Sequence, residues 1–323
     1  MRSDVTRPPL QPETLDIDIL REMYREGAID FTGVDPRLNA TRIARELSVR
    51  RARVSARLQA WRDSGLLRRY DVWVNPALFG WQGAGVNIRV QHPGAKADLF
   101  SRLAALEGAV SGVEFLGEWI TFGVVTPDAA ALERTLRIIR GLSGVREVDV
   151  PAPWRMLPPR RELSPLDIRI VRALRENPTA LLSTTADQVG ISTRTMTRRY
   201  ANLVENRDVW FHPNFDFRAF SSPVVLLAMT LRPETDRRSI LRRIQTRYPL
   251  SLAFRGMPER PGPDAGGLLG LVMPSSAAHL EEVEQFVASV EGVERLEANV
   301  VVRLHSFPDW FDRQLEALAH RRS

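Results

Sequence analysis

The chain repeats itself. Residues 15–23, "LDIDILREM", return at 166–174 as "LDIRIVRAL", each behind a proline-containing stretch and each with apolar residues at helical spacing. The copies drift in register: Leu15 and Leu166 stand 151 positions apart, Val49 and Ile191 142, and Pro76 and Pro213 137. Copy two has therefore lost loop residues twice, and "EGAIDFTGVDPRL" at 26–38 accounts for the first loss. With 323 residues, 44% of them hydrophobic, each copy is long enough for two small domains of its own.

After each opening helix the copies follow one plan. In copy one, Ile43, Ala44 and Leu47 form a short helical face, Val49 begins a turn, and Val54, Leu58 and Trp61 form a second face. Two short helices across a tight turn read as a helix-turn-helix, whose second helix can enter the major groove of a duplex. Beyond Pro76 come "AGVNIRV", "AKADLFSRLAALEG", "AVSGVEFL", "EWITFGVV", "DAAALERTLRIIRGL" and "VREVDV", in the order β-α-β-β-α-β. That is the order of a ferredoxin-like unit. Copy two repeats it with "VVLLAMTL", "DRRSILRRIQTRY", "LSLAFR", "GLLGLVM", "AAHLEEVEQFVASV" and "VERLEANVVVRL". The expected fold class is α+β: two winged helix-turn-helix domains (1–80 and 163–220) alternating with two βαββαβ domains (81–152 and 221–305). A Pro-rich linker spans 153–162, and a docked C-terminal helix spans 306–323.

Arginine placement carries the functional expectation. Lys96 is the only lysine among 45 basic residues, and the formal charge is +6. Guanidinium stays charged and offers a planar fork of donors suited to phosphate oxygens and guanine edges. On the third helix of copy one, Arg50, Arg51, Arg53 and Arg57 avoid the apolar stripe and gather toward the N-terminal half, the end that meets base edges in such motifs. The matching helix of copy two offers Ser192, Thr193, Arg194, Thr197 and Arg198, a mixture able to touch bases as well as phosphate. Its turn is better made: Gly190 suits a left-handed backbone and Ser192 a cap, where copy one has Ser48 and Arg50.

Gly65 is expected to end the third helix of copy one. Leu67, Tyr70, Val72 and Val74 then alternate as a strand pair would, which predicts a small wing with Arg68 and Arg69 at its exposed turn, against backbone phosphate. In copy two the wing is short and the arginine pair is missing, so unequal DNA contacts are expected from the two halves.

The segments "LDIDIL" and "RLQAWRDSGLLRRYDVWVNP", with the βαββαβ unit after them, resemble the Lrp/AsnC (feast/famine) family of prokaryotic transcription regulators. "LDIRIV" and "VGISTRTMTRRYANL" resemble it again, so the chain is similar to two family units in tandem. The resemblance implies a sequence-specific regulator that binds double-stranded DNA, its tandem units acting as a pseudo-dimer, with amino acids as the usual effectors and a homo-oligomer, a dimer of chains, as the assembly. Near the family's effector pocket lies a Gly-acidic-aromatic-Asp segment; Gly117, Glu118 and Trp119 match its start and Ile120 stands in place of the Asp.

No cysteine is present, and the five histidines lie far apart without metal-ligand spacing, so neither metal nor other cofactor is expected. No apolar run approaches the roughly 18–20 residues of a membrane span, and a cytoplasmic, nucleoid-associated protein is expected. Neither a nucleophile-base pair nor a phosphate-cradling loop occurs, so an enzyme is not expected. The alternative is a similarity to siroheme decarboxylases, enzymes on the same domain plan whose chemistry uses histidine and arginine around a tetrapyrrole. Against it, "EWITFGVV" carries no histidine.

Overall fold

A computed structural model describes residues 9–23, 40–149, 154, 158–249, 251–254 and 266–321. The insertion at 26–38, most of the Pro/Gly-rich loop after Arg255 and part of the linker 153–162 lie outside the described residues. Copy one runs α1 (Thr14–Met23), α2 (Ala40–Glu46), α3 (Arg51–Ser64), β1 (Leu67–Val74), β2 (Gln82–Val90), α4 (Lys96–Ala104), β3 (Ala109–Phe115), β4 (Trp119–Thr126), α5 (Ala129–Arg140) and β5 (Val145–Asp149). Copy two runs α6 (Pro165–Glu176), α7 (Leu182–Val189), α8 (Thr193–Glu205), β6 (Val209–Phe215), β7 (Val224–Leu231), α9 (Arg237–Arg247), β8 (Ser251–Phe254), β9 (Gly266–Val272), α10 (Ala277–Ala288) and β10 (Val293–Ser306), followed by α11 (Asp309–His320). The class is α+β, with helix-turn-helix and βαββαβ parts each present twice.

The described residues divide between two compact units, and each draws on both copies. One takes its residues from 1–25, 38–69 and 214–303. Its helix-turn-helix closes over Ile17, Ile19, Leu20, Ile43, Val54, Leu58 and Trp61, all buried. Its sheet, in the order β10-β7-β9-β8, is antiparallel throughout. Val225, Leu227, Met229 and Leu231 alternate along β7 and meet Ile240 and Ile244 of α9 and Val283 and Val287 of α10, so period-2 spacing is what seats two helices on one face. The first helix-turn-helix thus packs with the second αβ sheet: α1 lies against β8, and Arg21 Nη2 donates to Pro249 O at 3.1 Å.

The other unit spans 70–213 and, with α11, the end of the chain from 304. Its sheet order is β5-β2-β4-β3, with Val86 opposite Phe122 and Ile88 opposite Ile120. Those side chains meet Leu99, Phe100 and Leu103 of α4 and Leu136 and Ile139 of α5. A second core joins α6, α7 and α8 to the opposite side of β3 and β4 through Ile168, Val171, Met196, Leu203, Val110 and Val125. The helix α11 docks there by Trp310, Phe311 and Leu315, and Arg175 fastens it by donating to Asp312 at 2.6 Å and to Pro308 O at 2.9 Å. On the sheet, Gly83 and Gly123 leave room for the Trp154 ring; a Cβ at Gly83 would stand 2.1 Å from it. Trp154 N donates to Gly83 O at 2.8 Å, which fixes the ring's approach.

The wing differs from expectation. Residues 67–74 form one uninterrupted strand, β1, whose partner is its duplicate β6 rather than its own return. A two-residue hairpin needs glycine or asparagine at positive φ, and Arg68 and Arg69 provide neither. Among the described non-glycine residues only Ser48, Arg207 and Glu234 have positive φ. With a partner strand in place, residues 71–74 are buried consecutively instead of alternating. Trp73 lies 6.2 Å from its counterpart Trp210 and stacks on His212 at 4.7 Å.

Candidate nucleic-acid interface

The turn before α3 places Ser48 at φ 53, the left-handed conformation that Gly190 takes at φ 74 in copy two. Arg50 stands at the N-cap of α3 without a side-chain capping bond. Arg50, Arg51 and Arg53 are exposed, and none has an ion pair or side-chain hydrogen bond among the described residues. They lie together at the end of α3 where four backbone N–H groups lack helical partners and the dipole favours an anion.

Arg57 is the exception. Its side chain is only 11% exposed and turns toward α1, where Nε donates to Asp16 Oδ1 at 2.5 Å and Glu13 lies at 3.1 Å. Hydrogen bonding to Asp16 raises the guanidinium pKa further, outweighing the effect of burial. Asp16 is itself fully buried and accepts from Trp61 Nε1 at 2.6 Å and from Glu13 N at 2.7 Å. The helical stripe on α3 placed Arg57 on the polar side; a buried carboxylate one helix away draws it inward.

The duplication reproduces this arrangement. Asp167, the counterpart of Asp16, is fully buried and accepts from Ser164 N at 3.0 Å, Arg161 Nη1 at 2.7 Å and Arg199 Nη1 at 3.1 Å. Burial pushes the Asp167 carboxyl up, but Arg161 and Ser164 outweigh it and hold the pKa below the usual range. Arg199 stands 142 positions after Arg57. Neither carboxylate nor Arg199 figured among the sequence-derived site residues, yet "LD" at the head of both opening helices was the available signal.

On α8, Ser192 caps the helix by accepting from Thr195 N at 3.2 Å, and Thr197 Oγ1 donates back to Thr193 O at 2.9 Å. Thr193, Arg194 and Arg198 are exposed, and the two arginines have no partner among the described residues. Arg68 and Arg69 are also exposed; Arg68 lies 3.4 Å from Asp216. Gly117 takes φ 84 in the turn between β3 and β4, with open space where a Cβ would be. Glu118 accepts from Arg89 Nε at 2.8 Å and lies 3.8 Å from Arg146, while Arg89 sits 5.9 Å over the Trp119 ring. Ile120 is buried in the αβ core with Val86, Ile88 and Phe122.

Among the described residues no group of three or more His, Asp or Glu side chains is placed to hold a metal ion, and no helix is long and apolar enough to cross a membrane. No protein-family model matches the chain, and no curated protein does. Solved structures do. The siroheme decarboxylase NirDL, solved with an iron-uroporphyrin III analogue, superposes with a TM-score of 0.52 at 13% identity, covering 95% of this chain and all of that one. A second structure of NirDL gives 0.51 at 12%. These two likenesses show the fold, in which helix-turn-helix and βαββαβ parts are each present twice. AsnC of E. coli aligns with 47% of this chain and 97% of its own, at 16% identity and a TM-score of 0.31.

Proposed function

We propose that the chain is a sequence-specific, double-stranded-DNA-binding transcription regulator with two unlike reading helices. The observation that carries it is the set of partnerless arginines at the N-terminal halves of α3 and α8: Arg50, Arg51 and Arg53 on one, Arg194 and Arg198 on the other. Within the same two helices Arg57 and Arg199 are instead held by buried carboxylates. The partnerless ones are available to phosphate and to guanine. The α3 array is all guanidinium and suits backbone or G-rich contacts, whereas α8 adds Thr193 and suits a mixed base pattern. Two different readers call for an asymmetric operator, unlike the palindrome a symmetric dimer reads. Glu118 is already engaged by Arg89 and Arg146, so no effector is assigned to that turn.

Fluorescence-anisotropy titration of the full chain against its own upstream region and against a random duplex, at two salt concentrations, tests this. Preference for the upstream duplex that persists at the higher salt is expected; equal or absent binding to both at low salt overturns it.

A second reading is favoured by one observation, the full-length coverage of NirDL. On it the chain binds a carboxylate-rich tetrapyrrole, and its abundant arginines serve those carboxylates instead of phosphates. Titration with siroheme, followed by absorbance, separates the two: a saturable spectral shift supports this reading, and an unchanged spectrum removes it.

A further inference from the structure

Asp216 is surrounded by more positive charge than it can use. It is nearly buried, and three chain segments converge on it: Asp216 N donates to Leu66 O at 2.9 Å, which brings Arg68 alongside, a β-bridge pairs Asp216 with Arg303, and Arg218 follows two residues on. Arg218 takes both carboxylate oxygens in a fork, Nε to Oδ1 at 2.8 Å and Nη2 to Oδ2 at 2.7 Å, and its backbone N–H adds a third bond to Oδ1 at 3.3 Å. The fork and that backbone N–H together take three of the roughly four acceptor sites of the carboxylate. Arg68 and Arg303 are left at 3.4 Å and 3.7 Å, and Arg303 Nε is buried with no hydrogen-bond partner among the described residues.

One ion pair would have sufficed to neutralise Asp216, and buried donors are ordinarily satisfied. Among the described residues Arg68 and Arg303 have no carboxylate but Asp216, which Arg218 already grips, so the two repel each other unless an anion joins them. Arg68 and Arg218 are about half exposed, at 52% and 53%, so the cluster opens to solvent on one side. Planar forks of this kind match the oxygens of a phosphate group. We propose that Arg68, Arg218 and Arg303, oriented by Asp216, form a phosphate-binding site. Asp216 is a positioning residue: it aims the Arg218 fork and holds the other two guanidiniums within reach of a shared oxyanion. The phosphate belongs either to a DNA backbone or to a free phosphorylated solute, and the site stands whether or not the helices read DNA.

Isothermal titration of the full chain with inorganic phosphate, at constant ionic strength set with chloride, tests it. One saturable site is expected, weakened at least tenfold in Arg68→Gln and in Arg303→Gln and unchanged in Arg247→Gln, whose side chain pairs with Glu282 elsewhere on the same unit. Absence of saturable binding to the wild type overturns the proposal, as does equal binding by Arg68→Gln. Because Arg68 is exposed, that variant keeps the test valid should Arg303→Gln fold poorly. A parallel duplex titration identifies the source. Affinity lost by one factor for every sequence in Arg68→Gln assigns the phosphate to the DNA backbone; unchanged duplex affinity beside lost phosphate binding assigns it to a free solute.

Discussion

Arg57 closes on Asp16 at 2.5 Å, tying the third helix of the first helix-turn-helix to its opening helix. Removing one partner of a buried pair leaves the other charge uncompensated, and such losses cost about 3 kcal/mol. Arg57→Ala is therefore expected to lower the urea unfolding free energy by roughly that amount. Arg199→Ala is expected to cost only about 1 kcal/mol, because Asp167 keeps Arg161 at 2.7 Å. Equal losses in the two variants would contradict this account of the pair.

The exposed arginines should behave oppositely. Arg51→Gln and Arg53→Gln are expected to leave unfolding unchanged and to weaken duplex binding for all sequences, flattening the plot of log affinity against log salt by about 0.9 per phosphate contact removed. Arg194→Gln with Arg198→Gln should instead narrow the gap between operator and random DNA, since those side chains share their face with Thr193. Anisotropy titrations across a salt series check both.

Asp208 and His212 titrate in opposite senses. Asp208 is fully buried, both its oxygens lack hydrogen-bond partners among the described residues, and Arg161 Nη2 is 3.5 Å away. Burial lifts its carboxyl from 3.8 to about 6, against the pull of Arg161 and with a further push from Asp167. The stability this group contributes is full below 3.8 and is lost as pH rises through about 6. His212, against Trp73, is lowered by burial from 6.5 to about 4, with Asp71 pulling the other way. Its contribution is full above 6.5 and is lost as pH falls through about 4. Across that window the two oppose each other, and the wild-type melting temperature should be nearly flat. Asp208→Asn removes one of them: its melting temperature should climb between about pH 4 and pH 6.5, and its stability relative to the wild type should be greater at pH 7.5 than at pH 3.5 by about 3 kcal/mol. Parallel pH curves for the two proteins would rule this out.

The turns before α3 and α8 offer a stability test in both directions. A non-glycine residue in the left-handed region costs about 1 kcal/mol. Ser48→Gly should therefore raise stability by up to about that much, and Gly190→Ala should lower it by a similar amount. A Cβ at Gly190 has nothing within 4 Å, so its cost is purely conformational. Differential scanning calorimetry of the two variants gives the signs.

Much of this was legible in the residues. Period-2 runs and 3.6-residue stripes placed the strands and helices of both αβ domains, because those faces pack on elements close in sequence; β7 begins and ends where "VVLLAMTL" does. Gly65, at φ 78, closes α3 as its position suggested. The fate of β1 was not legible. Alternation tells which side chains face a core and says nothing of whether the partner strand comes next or from the other copy, as β6 does. Arg57 was misplaced for a related reason: a helical wheel sorts by polarity, whereas Asp16 is polar and buried, so it recruits a cation into the interior. Comparing the copies would have exposed it, since arginine recurs at 199 while 51, 53, 194 and 198 fall at unmatched positions.

The glycine-floored seat of Trp154 has a practical consequence. This indole stands alone in the stretch between the two repeats, and its slot on β2 and β4 has the width of an unsubstituted backbone. Widening any floor residue by one methyl group, as in Gly83→Ala, would evict the ring into water. Loss of that seat is thereby readable as a difference in emission between the wild type and Gly83→Ala, the other six tryptophans being common to both.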